Sequence, residues 1–330
     1  MGAPAGDRWL HKRQVNEVRN ISISTTSNNI DFAGSTSKAD STARKVTREA
    51  VIEKLLMISA GISILSIILI TVFIFARGIP LVTQVGLSNF LFNLTWNPAN
   101  KIYGIGAMFI GSLGVTLVAL SWAVPLGLAA ALFIAEIAPS AVGSLLSRFV
   151  ELLAGIPSVV YGFFGLIVVV PFIRETFGGN GLSVLAGGII LGIMVIPTII
   201  NISRDSIMAV PMDYKVNSLA LGATHYQTIF HVIMPAARSG IITAIVLGMG
   251  RAIGETMAVV MVTGNAVIVP GSILEPVRTM TSNIVLEMGY ASGDHQAALF
   301  ATGMVLFVFI VILNLLVNMV IKGAKKDGLS

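Results

Sequence analysis

Six long apolar runs, separated by short polar segments, account for most of the chain after its first fifty residues. A helix needs about 20 apolar residues to cross roughly 30 Å of hydrocarbon. Leu55 to Ala76 is uncharged between Lys54 and Arg77 and predicts one span. Ile102 to Ala135 is uncharged, too long for one simple span, and contains Pro125. It predicts a kinked span or a span with an interfacial lead-in. Leu152 to Ile173 and Leu182 to Ile200 predict the third and fourth spans. Gly240 to about Gly264 is apolar apart from Arg251 and Glu255, and Ala297 to Ile321 is the last run. The pattern therefore predicts an all-α, polytopic membrane protein of six transmembrane helices, with both termini on one side.

The polar segments refine this picture. Residues 1–54 carry fifteen of the 37 acidic and basic residues and are rich in Ser, Thr and Asn. They lack the apolar core of a signal peptide, and Gly6 stands where a myristoylation motif needs Ser or Thr. We read residues 1–50 as a polar tail, disordered or loosely helical, and residues 51–330 as the membrane domain. Only 11% of the 330 residues are charged, against about 25% in a soluble domain, and mean hydropathy is +0.88. A soluble fold, a disordered chain and a collagen are excluded. Cysteine is absent, which excludes disulfides, thiolate metal sites and a cysteine nucleophile. With the N-terminus inside, the inner segments hold sixteen Lys and Arg and the outer segments four. That asymmetry predicts cytoplasmic N- and C-termini. The basic balance then reflects topology and anionic membrane lipid, and implies no nucleic-acid site.

Two features exceed what a membrane requires. The first is the connection at about 201–239, long and cytoplasmic by the charge argument. Leu219 and Ala220 precede Gly222, a helix stop. Tyr226, Ile229, Phe230 and Ile233 then recur at helical spacing, and Pro235 is expected to end or redirect that helix. The pattern is two short amphipathic helices joined at a glycine elbow. The second feature is Gly250-Arg-Ala-Ile-Gly-Glu-Thr256. Arg251 falls about eleven residues into its apolar run, near mid-bilayer at 1.5 Å per residue. An arginine there costs about 2.5–3.5 kcal/mol on the insertion scale. Glu255 is four residues on, which puts both charges on one helix face. Gly250 and Gly254 have the spacing that lets helices approach closely. Two readings follow: a polar site facing a translocation path, or a buried pair that neutralises itself.

The 201–239 connection resembles the cytoplasmic "EAA" loop of importer-type ABC permeases, in which a glycine is followed thirteen residues later by a proline. Gly222 and Pro235 match, as do the small Ser218 and Ala220. Val216 stands where the family usually has glutamate, and Asn217 where alanine is common. The resemblance implies that the helix before Gly222 docks on an ATPase subunit; with Val216 in the place of glutamate, that contact is expected to be weaker, or to be carried by Lys215 or Asp213.

Three further blocks, Phe133 to Pro139, Glu151 to Phe163 and Gly250 to Val259, together resemble the phosphate-specific ABC permeases, the PstC type above all. This resemblance covers roughly residues 55–322. It implies an ABC importer type I (MetI-like) permease core in the inner (plasma) membrane. It also implies a heterodimer with a PstA-type permease, two copies of an ATPase subunit, and an extracytoplasmic phosphate-binding protein. No P-loop is present, so ATP and magnesium belong to the partner ATPase, and the chain itself is expected to hold no cofactor and no metal.

The expected substrate-path residues are Arg251, Glu255 and Thr256. An arginine fork offers two parallel donors to an oxyanion and keeps its charge. Glu255 would hold Arg251 in place, or accept a hydrogen bond from protonated phosphate. Gly155 and Pro157 are expected to break a helix, either as a kink or so that backbone lines a cavity. Glu136 and Pro139 are expected to end the second span, and Gly188 with Gly192 to pack helices. Glu275, Arg278, Glu287 and Asp294 lie on an outer connection, as a docking surface or a solvated loop. Alternatives are a permease for molybdate or sulfate, an ion-gradient-driven transporter, and a membrane receptor.

Overall fold

The computed structural model describes the backbone of residues 31–326 and the side chains of residues 52–316 and of Met319. The first thirty residues of the polar tail lie outside the described residues. The chain divides into two units, at Thr71 and Val72. Helix α1 runs Asp31–Val85. In the first unit its apolar side chains from Ile52 onward are exposed, as in a helix that faces lipid. Ser63, Ser66 and Thr71 return their hydroxyls to carbonyls one turn back, at 2.8–2.9 Å. A hydroxyl in hydrocarbon has no water to bond, so this local acceptor satisfies it.

The second unit holds the core. Helix α2 (Leu87–Phe92) and a two-stranded ribbon, β1 (Trp96–Asn97) and β2 (Ile102–Tyr103), lead into α3 (Gly106–Leu132). The lead-in expected before the second span is this ribbon. Helix α3 continues through Pro125 into a π-helical turn, Phe133–Ile137. An amphipathic helix, α4 (Ser140–Ala154), follows, and α5 (Ser158–Phe164), a π turn (Gly165–Val169) and α6 (Val170–Phe177) form the third span. Leu152 to Ala154, assigned from the sequence to that span, instead end α4. Gly155 and Pro157 separate the two helices, and Pro157 is the residue before α5 begins.

Helix α7 (Val184–Met208) is the fourth span and the centre of the unit. It packs along α3, where Gly188 and Gly192 remove the Cβ atoms that would collide with Val118 and Trp122. Val115, Ala119, Leu191, Val195 and Ile199 fill the seam and are almost fully buried. The expected packing role of this glycine pair is borne out.

Helix α8 (Met212–Ala220) is followed by α9 (His225–Thr228), a π turn (Ile229–Ile233) and α10 (Met234–Gly254). From His225 the helix is continuous to Gly254, so the fifth span is longer than its apolar run and Pro235 does not end it. Proline lacks an N–H and presses on the carbonyl four residues back. The π turn immediately before it shifts the hydrogen-bond ladder and absorbs both effects. Short helices α11 (Met257–Val262) and α12 (Met280–Met288) precede the last span, α13 (Gly293–Lys326). Among the described residues, six helical segments are long and apolar enough to cross a membrane.

Candidate functional site

The fifth span breaks where the sequence placed its charges. Helix α10 ends at Gly254, Glu255 is extended, and α11 starts at Met257. The continuous helix on which Arg251 and Glu255 were to share a face therefore does not exist. Arg251 sits in the last turn of α10 and is exposed. Its Nη1 donates to the Thr198 hydroxyl of α7 at 3.2 Å. Thr198 lies about 21 Å along α7 from that helix's first residue, at 1.5 Å per residue, well inside the span. The Glu255 carboxylate turns the other way and accepts the Ala258 N–H at 3.3 Å, which caps α11. Among the described residues no ion pair joins Arg251 to a carboxylate. The self-neutralising pair is thus replaced by a cation held by a hydroxyl. Thr256 immediately precedes α11 and donates its hydroxyl to the Gly254 carbonyl at 3.2 Å.

The glycines of this block also differ from expectation. A Cβ on Gly250 or Gly254 would meet nothing within 4 Å. The close approach uses Gly240, Ala244 and Gly248 instead. Ala244 is fully buried, and Cβ atoms at the two glycines would press on Ser206, Val195 and Ile199 of α7. These three residues recur every four positions and so define the packed face. Leu247, Arg251 and Gly254 follow at spacings of four and three, border that packed face rather than oppose it, and are all exposed.

The 151–163 block meets this break. Gly162 brings α5 against α11, because a Cβ there would lie 2.9 Å from Ala258 Cα. The Tyr161 hydroxyl donates to the Leu153 carbonyl at 2.8 Å, across the gap opened by Gly155 and Pro157. Behind the break lies a water-sized cavity of about 10 Å³, lined by Ser112, Thr116, Glu255, Thr279 and Thr281 among others. Thr281 donates to the Glu255 carbonyl at 2.9 Å. These hydroxyls are separated from Arg251 in sequence and carried no signal there. Thr198 was visible as a polar residue inside an apolar run.

The elbow forms as the sequence suggests. Helix α8 ends at Ala220, and Gly222 turns the chain at φ 87°, a conformation that glycine adopts without strain. Thr224 and Gln227 form a reciprocal cap at the start of α9. Met212, Tyr214, Val216, Leu219 and Leu221 face outward, and Leu221 is 90% exposed. Asn217 and Ala220 are exposed as well. Lys215 is not part of that outward surface: its ammonium binds the Glu136 carboxylate at 2.6 Å. This replaces the expected role of Lys215 as an outward contact.

In the connection at 265–296, Glu287 and Arg278 bond each other. Glu287 is buried and accepts from Arg278 Nη1 at 2.6 Å and from Trp96 Nε1 at 2.8 Å, with His295 Nε2 also at 2.8 Å. Asp294 lies at the surface, 3.4 Å from Lys101.

Residues 123–326 match the family model described as "Binding-protein-dependent transport system inner membrane component". A probable ABC transporter permease protein, YqgH of Bacillus subtilis, is 43% identical over 272 residues, covering 80% of this chain and 86% of its own. The phosphate transport system permease protein PstC of Pasteurella multocida is 34% identical over 261 residues, covering 73% and 82%. A probable PstC of Methanocaldococcus jannaschii is 32% identical, covering 76% and 86%. Among solved structures, a chain of the inward-facing MetNI methionine ABC transporter superposes with a TM-score of 0.53 at 19% identity, covering 65% of this chain and 93% of that one. That likeness establishes the MetI-like fold. The chain therefore belongs to the binding-protein-dependent transport system inner membrane component family: it is a multi-pass permease subunit of an ABC importer, whose ATPase is a separate subunit.

Proposed function

We propose that this permease is of the PstC type and moves inorganic phosphate into the cytoplasm. The observation that carries the reading is Arg251, an exposed guanidinium in the last turn of α10 beside a helix break, with its one described hydrogen bond to Thr198. Its likeness to PstC proteins of bacteria and an archaeon points the same way. Inorganic phosphate is an oxyanion at neutral pH, and a guanidinium can meet it with two parallel hydrogen bonds. Thr256 and the backbone freed between Gly254 and Met257 supply neighbouring polar groups. Binding at this point is weak by design, because a path must also release its ion.

The partners follow from this reading. The open face of Leu247, Arg251 and Gly254 fits a second permease of PstA type, so that the path runs between two subunits. The outward apolar face of α8, with the elbow at Gly222, fits a groove on one of two ATPase copies that bind ATP and magnesium, the other copy meeting the second permease. An extracytoplasmic phosphate-binding protein delivers the ion from the other side. Both termini are then cytoplasmic.

The test is uptake of labelled phosphate into proteoliposomes that contain the whole complex and its binding protein. Wild type should take up phosphate when ATP is present on the ATPase side. Arg251→Ala should assemble and lose at least about 100-fold of that uptake, consistent with loss of a charge-assisted bidentate contact. Full uptake by the variant removes Arg251 from the path. Uptake of sulfate or molybdate in place of phosphate overturns the substrate.

A further inference from the structure

Glu136 binds both sides of the cytoplasmic elbow. It lies in the π-helical turn Phe133–Ile137 that ends the second span. Its carboxylate accepts Lys215 of α8 at 2.6 Å, and its backbone carbonyl lies 3.3 Å from His225 Nε2, at the first residue of α9. The two charged side chains are largely shielded, 10% exposed for Glu136 and 24% for Lys215.

The rest of α8 makes this pair more telling. No residue of the helix is buried. Its partly shielded positions are Lys215 and Ser218, three residues apart and therefore on one face. Ser218 shares a 3.0 Å hydroxyl contact with Thr228, which is fully buried. The helix is thus attached to the membrane domain through polar contacts, while its apolar side chains face away. An apolar seam lets a helix slide, since its attraction has no direction. A short charge-assisted hydrogen bond fixes distance and angle.

We propose that Glu136 is a positioning residue, and that the Glu136–Lys215 pair is the strut by which the second span moves with α8. This rests on reading α8 as the part that the ATPase engages. A displacement of α8 then reaches the second span through Glu136 and the fifth span through the Gly222 elbow, so both helices respond to one event.

The experiment uses the complete complex in proteoliposomes with its binding protein, and compares Glu136→Gln, Lys215→Met and the reversed pair Glu136→Lys/Lys215→Glu. ATP hydrolysed per phosphate moved is read alongside the amount of ATPase subunit that copurifies. The expected result is normal copurification throughout. Each single variant should spend at least about five-fold more ATP per phosphate, the lower end of an allosteric coupling, and the reversed pair should restore the ratio. An unchanged ratio in Glu136→Gln overturns the strut. Loss of the ATPase subunit from Lys215→Met alone also overturns it, since Lys215 would then contact the ATPase. A reversed pair that fails to restore the ratio does the same.

A second readout does not depend on the substrate. The chain has no cysteine, so spin labels at Phe133→Cys and Asp213→Cys report one distance. That distance should stay constant on adding ATP in the wild-type background and change in Glu136→Gln. If it behaves so while no phosphate is taken up, the phosphate reading fails and the strut stands. If it responds alike in both backgrounds, the strut fails.

Discussion

At the scale of the residue, the structure sorts charges by what surrounds them. Glu287 is the most enclosed carboxylate described here, bonded to Arg278, Trp96 and His295. Removing one partner of such a buried pair leaves the other uncompensated and costs about 3–5 kcal/mol. Glu287→Ala should therefore lower the unfolding temperature of the detergent-solubilised protein by several degrees. Glu275→Ala should leave it nearly unchanged, because the Glu275 carboxylate accepts only from the Gly271 N–H of its own exposed turn. Equal shifts in a thermal unfolding assay would show that Glu287 has no special structural weight. Arg251 belongs to the opposite kind: it is exposed, and its substitution is expected to change transport and leave assembly intact.

These residues also mark how far the sequence could be read. Gly222, Gly155 and Pro157 were legible because their demands are local. A left-handed turn needs glycine, and a proline after a glycine separates two helices. The Glu136–Lys215 contact was not legible, since the partners lie 79 residues apart and nothing in either neighbourhood names the other. The shared helix face expected of Arg251 and Glu255 failed for a specific reason. Spacing of four implies a shared face only while the helix continues, and α10 stops between them.

At the scale of the element, apolar run length was a good guide to the spans and a poor guide to their ends. The fifth span begins fifteen residues before its apolar run, at His225, because polar residues are tolerated where a helix leaves the bilayer. The glycine pair that packs helices was correctly expected at Gly188 and Gly192 but misplaced at Gly250 and Gly254. The phase of a helix face depends on where neighbouring helices lie, which the sequence of one element does not contain. The distinction can be measured. Gly192→Leu would drive its side chain into Trp122 and should abolish recovery of folded protein. Gly250→Ala meets open space and should give a normal yield as an isolated chain. Equal recovery of the two on size-exclusion chromatography would contradict the α3–α7 seam.

At the scale of the whole molecule, the proposed orientation rests on charge, which would place sixteen basic residues on one side against four on the other. The native chain offers no thiol, so each introduced cysteine is a clean probe. Leu221→Cys should react with an impermeant maleimide from the cytoplasmic side of membrane vesicles, and Asn180→Cys from the other side. Asn180 is exposed and precedes α7. The reverse pattern would invert the topology and, with it, the assignment of α8 to the ATPase face. The described fold separates a buried charge cluster around Glu287, a helix break after Gly254 and an elbow anchored by polar contacts.

The π turn at Ile229–Ile233 gives the fifth span a property of its own. Such a turn holds one residue more than an α-helix requires over the same length. Deleting a residue there would leave a continuous helix, but rotate everything on one side of the deletion by about 100° relative to the other, one residue's share of a 3.6-residue turn. Thr228 is fixed by its contact with Ser218, and Gly240, Ala244 and Gly248 are fixed by α7. Both faces meet their neighbours only with the extra residue in place. The turn is thus a built-in phase correction, which reconciles two helical faces that an uninterrupted α-helix of this sequence would leave out of step.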